Sequence, residues 1–346
     1  MDLPGCRFYL FGMGNRRKLL YADGRLRDAF TGEVLNEWEV AEEHVRPPEY
    51  CVSLRTTEGE GVRISEDEQG VWCEEATDRV CLTRSPVRLP RFEDQRQAPL
   101  LRVLHHDLLI NLIHAGPVPN LLVYPRPWYR DAAMACMCLE KTGNLGLVED
   151  WIRGLHKPFD RNNAGHAEPD NLGQALYMVS LVGDPAHPVV DVVLREAERF
   201  RAGDHVCGLT DFAEHPVYQT KWLKHGLRSL GLDDPYVVPK VFDSYSALFW
   251  MDFKDEHVPG DPFDERARDL YPYLGWAEDH FHGWPVALPD PEQQYPLTYE
   301  AEASEADYAK MARICPEYAD RRLCAPHSWH AAEMLLYLLD ESVAGT

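Results

Sequence analysis

Apolar positions along the chain follow two rhythms. Up to about residue 95 they come in short runs rich in β-branched and aromatic residues: Arg7–Phe11, Lys18–Tyr21, Tyr50–Leu54, Val62–Ile64, Val71–Glu74 and Val80–Leu82. Turn-forming clusters separate these runs, at Ala22-Asp23-Gly24, Thr31-Gly32-Glu33, Glu58-Gly59-Glu60-Gly61 and Glu68-Gln69-Gly70. That pattern predicts five or six strands in a small antiparallel sheet or sandwich. Gly12-Met13-Gly14 follows the first run, but no third glycine completes a dinucleotide-binding fingerprint, so it reads as a turn.

Pro86, Pro90 and the charged stretch 91–96 read as a linker dividing a β domain over 1–95 from a helical domain over 96–346. From Pro99 onward the apolar period lengthens to about 3.6. Leu100, Leu101, Val103, Leu104, Leu108, Leu109 and Leu112 mark one broad helical face. Further helices are expected over 129–141, 145–156, 171–182, 187–201, 217–230, 240–252, 264–281, 303–314 and 326–341. No internal repeat supports a solenoid. Successive helical hairpins joined by polar, aromatic loops predict a mainly α fold: an (α/α)6-type toroid, complete or short of some helices, behind the small β domain.

Composition narrows the partners. Hydrophobic residues make up 45% and charged residues 27%, as in a folded enzyme. The formal net charge of -22 repels phosphate backbones and anionic lipid, so neither nucleic acid nor membrane is expected as a partner. A neutral sugar is compatible with it. Apolar runs such as Ala132–Leu139 are too short to span a bilayer, and Met1-Asp2-Leu3-Pro4-Gly5 lacks the features of a signal peptide. Nine cysteines, of which only Cys136 and Cys138 lie close and form no zinc framework, suggest reduced thiols and hence a cytoplasmic protein; no strong metal site is visible and no cofactor is expected.

Four segments concentrate residues with chemistry. In Tyr124–Asp131, Asp131 either caps the helix that follows or, with Arg130 and Trp128, grips a sugar: flat rings stack on sugar faces, and carboxylates and guanidinium groups hold pairs of hydroxyls. The loop Asp160–Gln174 carries more polar side chains than capping requires, including Asn163, His166, Glu168, Asp170 and Gln174. In Tyr295–Glu305, either Ser304 or Thr298 simply caps the helix that follows or, if Tyr299 to Ala303 is extended, Glu300 and Glu302 point the same way, and adjacent carboxylates separate their pKa values so that one serves as a base. In Ala325–Glu333, His327, Trp329 and His330 cluster at a helix start; the spacing matches no metal motif, and packed histidines are the alternative. Lys221-Trp222 and Asp243-Ser244-Tyr245 are weaker candidates.

Trp128-Tyr129-Arg130-Asp131 ahead of an alanine-rich helix, with the last helix opening on an aromatic followed by small residues, resembles the six-hairpin glycosidase superfamily, glucoamylase-like enzymes in particular. The resemblance covers about residues 98–341. It implies an inverting, exo-acting glycoside hydrolase on a small oligosaccharide or glycoside. By chain order the Glu168–Asp170 region would supply the general acid and the Glu300–Glu302 region the base. Arg130 and Asp131 would bind the terminal sugar, with Trp128, Tyr299 and Trp329 stacking on it. The sequence departs from the family's W-E-E acid motif and S-E-Q base motif. A sugar isomerase or epimerase using His166, His327 or His330, and a non-catalytic carbohydrate-binding protein, are the alternatives.

Overall fold

The computed structural model describes residues 8–124, 126–245, 258, 260, 262–288, 290, 297–303 and 306–339. Two antiparallel meanders open the chain. The first runs β1 (Phe8–Phe11), β2 (Leu19–Ala22), β3 (Arg25–Asp28) and β4 (Val34–Glu37), paired in sequence order. The second runs β5 (Val40–Arg46), β6 (Cys51–Thr56), β7 (Gly61–Glu66), β8 (Gly70–Glu75) and β9 (Asp78–Arg84), again in order. The strands expected from apolar runs are all present; β3, β4 and β5 were not expected. Burial explains two of them: β4 and β5 have no fully buried residue, so backbone pairing rather than an apolar face holds them, while β3 buries Leu26 among three charged residues.

The strand β7 shows the period of two plainly, turning Val62, Ile64 and Glu66 inward. Glu66 is the exception in that row, and its carboxylate is fully satisfied. It accepts from the backbone of Gly12 and Met13 at 2.9 and 2.7 Å and pairs with Arg16 at 2.7 Å. The turn at Gly12–Gly14 is thereby tied to the second sheet. Gly12, at φ 101°, has no room for a Cβ against the Arg17 carbonyl.

Helices follow in the order α1 (Ala98–Ile110), α2 (Tyr129–Lys141), α3 (Glu149–Arg153), α4 (Asp170–Leu181), α5 (Pro188–Arg199), α6 (Pro216–Ser229), α7 (Glu265–Leu270), α8 (Pro272–His282), α9 (Tyr308–Ala312), α10 (Pro316–Asp320) and α11 (Ser328–Leu339). The local reasons are ordinary ones. Val189, Val190, Val193 and Ala197 form the buried stripe of α5, entered through Pro188. Asp264 caps α7 by accepting from Ala267 N at 2.7 Å, and Gly283, at φ 68°, ends α8.

The mainly α toroid is not what these elements build. The structure is 37% helix and 21% strand. Its principal helices pack in the row α1–α11–α2–α4–α6, with α5 on α4 and α8 on α11. Apolar spacing marks a helical stretch without fixing its length, and that is where the expectation failed. The expected helix over 145–156 breaks into a short 3₁₀ turn and the five-residue α3, and that over 303–314 shrinks to α9. Of the expected helix over 240–252, residues 240–245 are irregular and the rest lies outside the described residues.

The first sheet rests on α1, where the His106 ring lies between Tyr9 and Tyr50 at centroid distances of 5.0 and 6.0 Å. Its Nε2 lies 2.9 Å from the Leu10 carbonyl, to which it donates. One cluster of buried apolar residues runs from Phe8 in β1 to Leu338 in α11. Among the described residues no helix is long and apolar enough to cross a membrane.

Candidate functional site

A cavity of about 430 Å³ opens where the start of α2, the start of α11, the segment 300–303, the loop before α4, the hairpin turn between α5 and α6 and the loop after α6 converge. Aromatic rings stand along its wall, among them Tyr124, Trp128, Tyr245, Tyr271, Tyr273 and Trp329. Each ring is braced. Tyr124 meets Trp128 edge-on at 5.8 Å, and Trp329 Nε1 donates to Glu333 at 3.2 Å.

At one end lie Asp131, Glu300 and His327. Glu300 opens a two-residue ladder with Cys324, which places it beside the start of α11. Its Oε2 accepts from Tyr124 Oη at 2.8 Å and from His327 Nε2 at 3.1 Å. Burial alone would raise this carboxyl, but the His327 charge and hydrogen bond outweigh it and hold Glu300 below its usual range. His327 is the reciprocal case: burial works against its proton, yet Glu300 and Asp131 carry its pKa above normal. Asp131 lies 3.9 Å from the same Nε2. Burial, with Glu300 nearby, pushes its pKa up to about 6.

His330 stacks obliquely on His327 at 4.3 Å and points Nδ1 at the Tyr299 carbonyl, 2.7 Å away. A carbonyl only accepts, so Nδ1 carries the proton and Nε2 is the basic nitrogen. Burial, reinforced by the His327 charge, drives this ring down to about 3 and leaves it neutral.

At the other end the Arg130 guanidinium is held by three carboxylates, with Nε 3.1 Å from Asp170, Nη1 2.9 Å from Asp211 and Nη2 3.7 Å from Glu168. Asp211 also accepts from Tyr245 Oη at 2.6 Å. Glu168 does not face the cavity. It stands behind Asn163 and Asp211, accepting from Asn163 Nδ2 at 3.2 Å and from the Asp211 backbone. Burial, with Asp170 beside it, pushes Glu168 up to about 7.

The sequence candidates therefore separate into three groups. Trp128, Arg130, Asp131, Asn163, Glu300, Glu302, His327, Trp329 and His330 all line the cavity. Glu168, Asp170, Gln174 and Tyr299 lie behind it: Gln174 donates to Asp170 at 3.0 Å, and Tyr299 orients His330. Trp222 and His166 lie elsewhere. Trp222 is wholly buried in the α4–α6 contact, and His166 is exposed on its loop. Glu300 and Glu302 do not point the same way, because Glu302 leaves the extended conformation at φ 57° and turns out to pair with Arg266 at 3.2 Å.

The segment readings passed over Asp211, Phe212, Phe263, Tyr271 and Tyr273. Phe212 is 77% exposed at a hairpin turn, a property that the sequence alone does not carry. Among the described residues no group of three or more histidine, cysteine or acidic side chains is arranged to hold a metal ion. No known protein family, curated protein or solved structure matches this chain.

Proposed function

We propose that the protein is a glycoside hydrolase acting on the end of a small oligosaccharide or glycoside. One observation carries the reading. Two carboxyl groups flank a single imidazole nitrogen in an aromatic-walled cavity, and their surroundings push their protonation in opposite directions. Environments that separate two carboxyl pKa values assign an acid and a base. Asp131, raised to about 6, is the proton donor to the departing glycosidic oxygen. Glu300, kept ionised, takes the proton of the attacking water, and His327 and Tyr124 hold it in place. Trp128 and Trp329 offer flat faces to a sugar ring. Glu168 and Asp170 become the supports of Arg130 rather than the acid. A cavity of this volume is of small-molecule size and suits a chain end. The eight described cysteines are all free thiols, which suits the cytoplasm.

The test is release of monosaccharide from a panel of α- and β-linked glycosides, with Glu300→Gln and Asp131→Asn alongside the wild type. Each variant is expected to unfold cooperatively like the parent and to lose about 10²–10⁴-fold in turnover. Wild-type turnover should decline as pH rises above about 6, when Asp131 gives up its proton. Turnover within a few-fold of wild type in either variant removes that residue from its role.

A second reading has its own support. His327 and His330 lie together with opposite shifts, one charged and one neutral, as a proton-transferring isomerase or epimerase requires. Product mass separates the two, since hydrolysis yields two molecules and isomerisation one of unchanged mass.

A further inference from the structure

The charges around the cavity say what kind of sugar it takes. Among the described residues its lining holds two cations, Arg130 and His327, and four carboxylates, Asp131, Asp211, Glu300 and Glu302, the last paired outward with Arg266. Neither cation is available to a ligand. All three nitrogens of Arg130 already face carboxylates, two of which, Asp170 and Glu168, lie behind the wall. His327 Nε2 is spent on Glu300 and Asp131, and its Nδ1, which has no hydrogen-bond partner among the described residues, is fully buried. An anionic ligand, such as a sugar phosphate or a uronate, would find no free positive group and several negative ones.

The carboxylates are in the opposite position. The side chains of Asp211 and Glu300 each keep 27% of their surface exposed, and both line the cavity. Asp211 is fixed for this, with Oδ2 gripped by Arg130 and Tyr245, Oδ1 holding only a long bond of 3.4 Å from Asn163 Nδ2, and the residue itself in a left-handed conformation at φ 54°. Beside it stand the rings of Tyr245, which donates to it, and of Trp329, 6.4 Å from Tyr245, with the Arg130 guanidinium over both at 6.0 and 5.1 Å. The net charge of -22 adds a field that concentrates positive ligands near the surface.

We propose that this cavity selects a cationic sugar, one bearing a free protonated amino group that pairs with Asp211 among the aromatic rings. The proposal rests on reading the cavity as a sugar site and narrows the class of sugar it accepts. A charged amine in place of a hydroxyl gains a charge-assisted hydrogen bond in a partly desolvated setting. Such a bond corresponds to about tenfold or more in affinity.

The experiment is calorimetric titration of the whole protein, in an amine-free buffer at neutral pH, with glucosamine, glucose, N-acetylglucosamine, glucuronate and glucose 6-phosphate. Glucosamine is expected to bind about tenfold or more tighter than glucose. N-acetylation should abolish that advantage, the two anions should bind weakest, and added salt should narrow the gap. In Asp211→Asn the preference for glucosamine over glucose should collapse, and in Asp211→Glu it should partly return. Equal affinity for glucosamine and glucose, tighter binding of either anion, or no binding of glucosamine at all overturns the proposal. Its fate is separable from that of the hydrolase reading. Turnover of neutral glycosides with no amine preference defeats only this proposal, and amine-selective binding with no glycoside cleaved defeats only the hydrolase.

Discussion

Thr298 joins the sheet side of the molecule to the site through one hydroxyl. Its Oγ1 donates to Asp107 Oδ2 at 2.7 Å and accepts from the backbone N–H of His327 at 3.1 Å. Asp107 has no exposed surface and His327 only 3%, so water replaces neither bond. Thr298→Val keeps the shape and removes the hydroxyl. It orphans a buried acceptor and a buried donor, each costing about 1–3 kcal/mol. The added methyl returns about 0.8 kcal/mol, which leaves a net loss of about 3 kcal/mol near the middle of that range. Urea unfolding followed by tryptophan fluorescence measures it, and Thr298→Ser, which keeps the hydroxyl, should lose much less. The two substitutions should also part in activity, since only Val releases the backbone that aims His327 at Glu300. A loss below about 1 kcal/mol for Thr298→Val, or equal losses for Val and Ser, would refute the reasoning.

Other consequences concern packing and pH. Gly173 in α4 faces the main chain of Trp222 in α6, where a Cβ would overlap the Trp222 carbonyl. Gly173→Ala gains up to about 1 kcal/mol of helix propensity but forces two helices apart. A net loss of about 2 kcal/mol is expected by thermal unfolding, whereas Gly146→Ala, in open space, should be near neutral. His105 is fully buried, and burial lowers its pKa to about 3. The native state resists the proton that the unfolded chain accepts below about 6.5, so wild type should lose stability relative to His105→Phe as pH falls from there towards 3. Asp131 has the opposite sign. Its pKa of about 6 lies above the unfolded value, so the native state prefers the proton and its stability falls as pH rises through 6. Asp131→Asn should therefore exceed wild type in stability at pH 7.5, with the gap closing as pH falls towards 4. A constant gap in either comparison would count against the assigned shift.

Much of this was legible in the sequence because it rests on local periodicity and local clustering. The helix over 129–141 appears with the expected bounds, and those over 171–182 and 217–230 within one residue at each end. The lengths of the shorter helices and the arrangement of the row were not legible, since tertiary contacts set both. The site shows the same division. Arg130, Asp131, Glu300, His327 and Trp329 stand out because each lies in a short segment where charged, aromatic or histidine side chains cluster at a helix start. Asp211 lies in an unremarkable two-strand turn and reaches the cavity only because Arg130 and Tyr245 hold it there. Alternation also misled: it put Glu302 beside Glu300, and a single left-handed residue reversed it.

The place of α11 between α1 and α2 has a consequence for how the chain reaches its native state. Ser328 Oγ bonds the Val118 carbonyl across 210 positions of sequence, and Cys138 meets the Ala332 carbonyl across 194. Closing loops of that length costs chain entropy before any contact repays it, and contacts between distant residues slow folding. During synthesis α1 and α2 emerge well before the helix that fills the seam between them. Their apolar sides must wait uncovered, that of Cys138 on the α11 seam among them. The same insertion event brings His327 to Asp131 and Glu300, so the site is assembled when that seam is sealed. A partly made chain would then be an aggregation-prone, inactive intermediate, a natural client for chaperones that shield apolar surface.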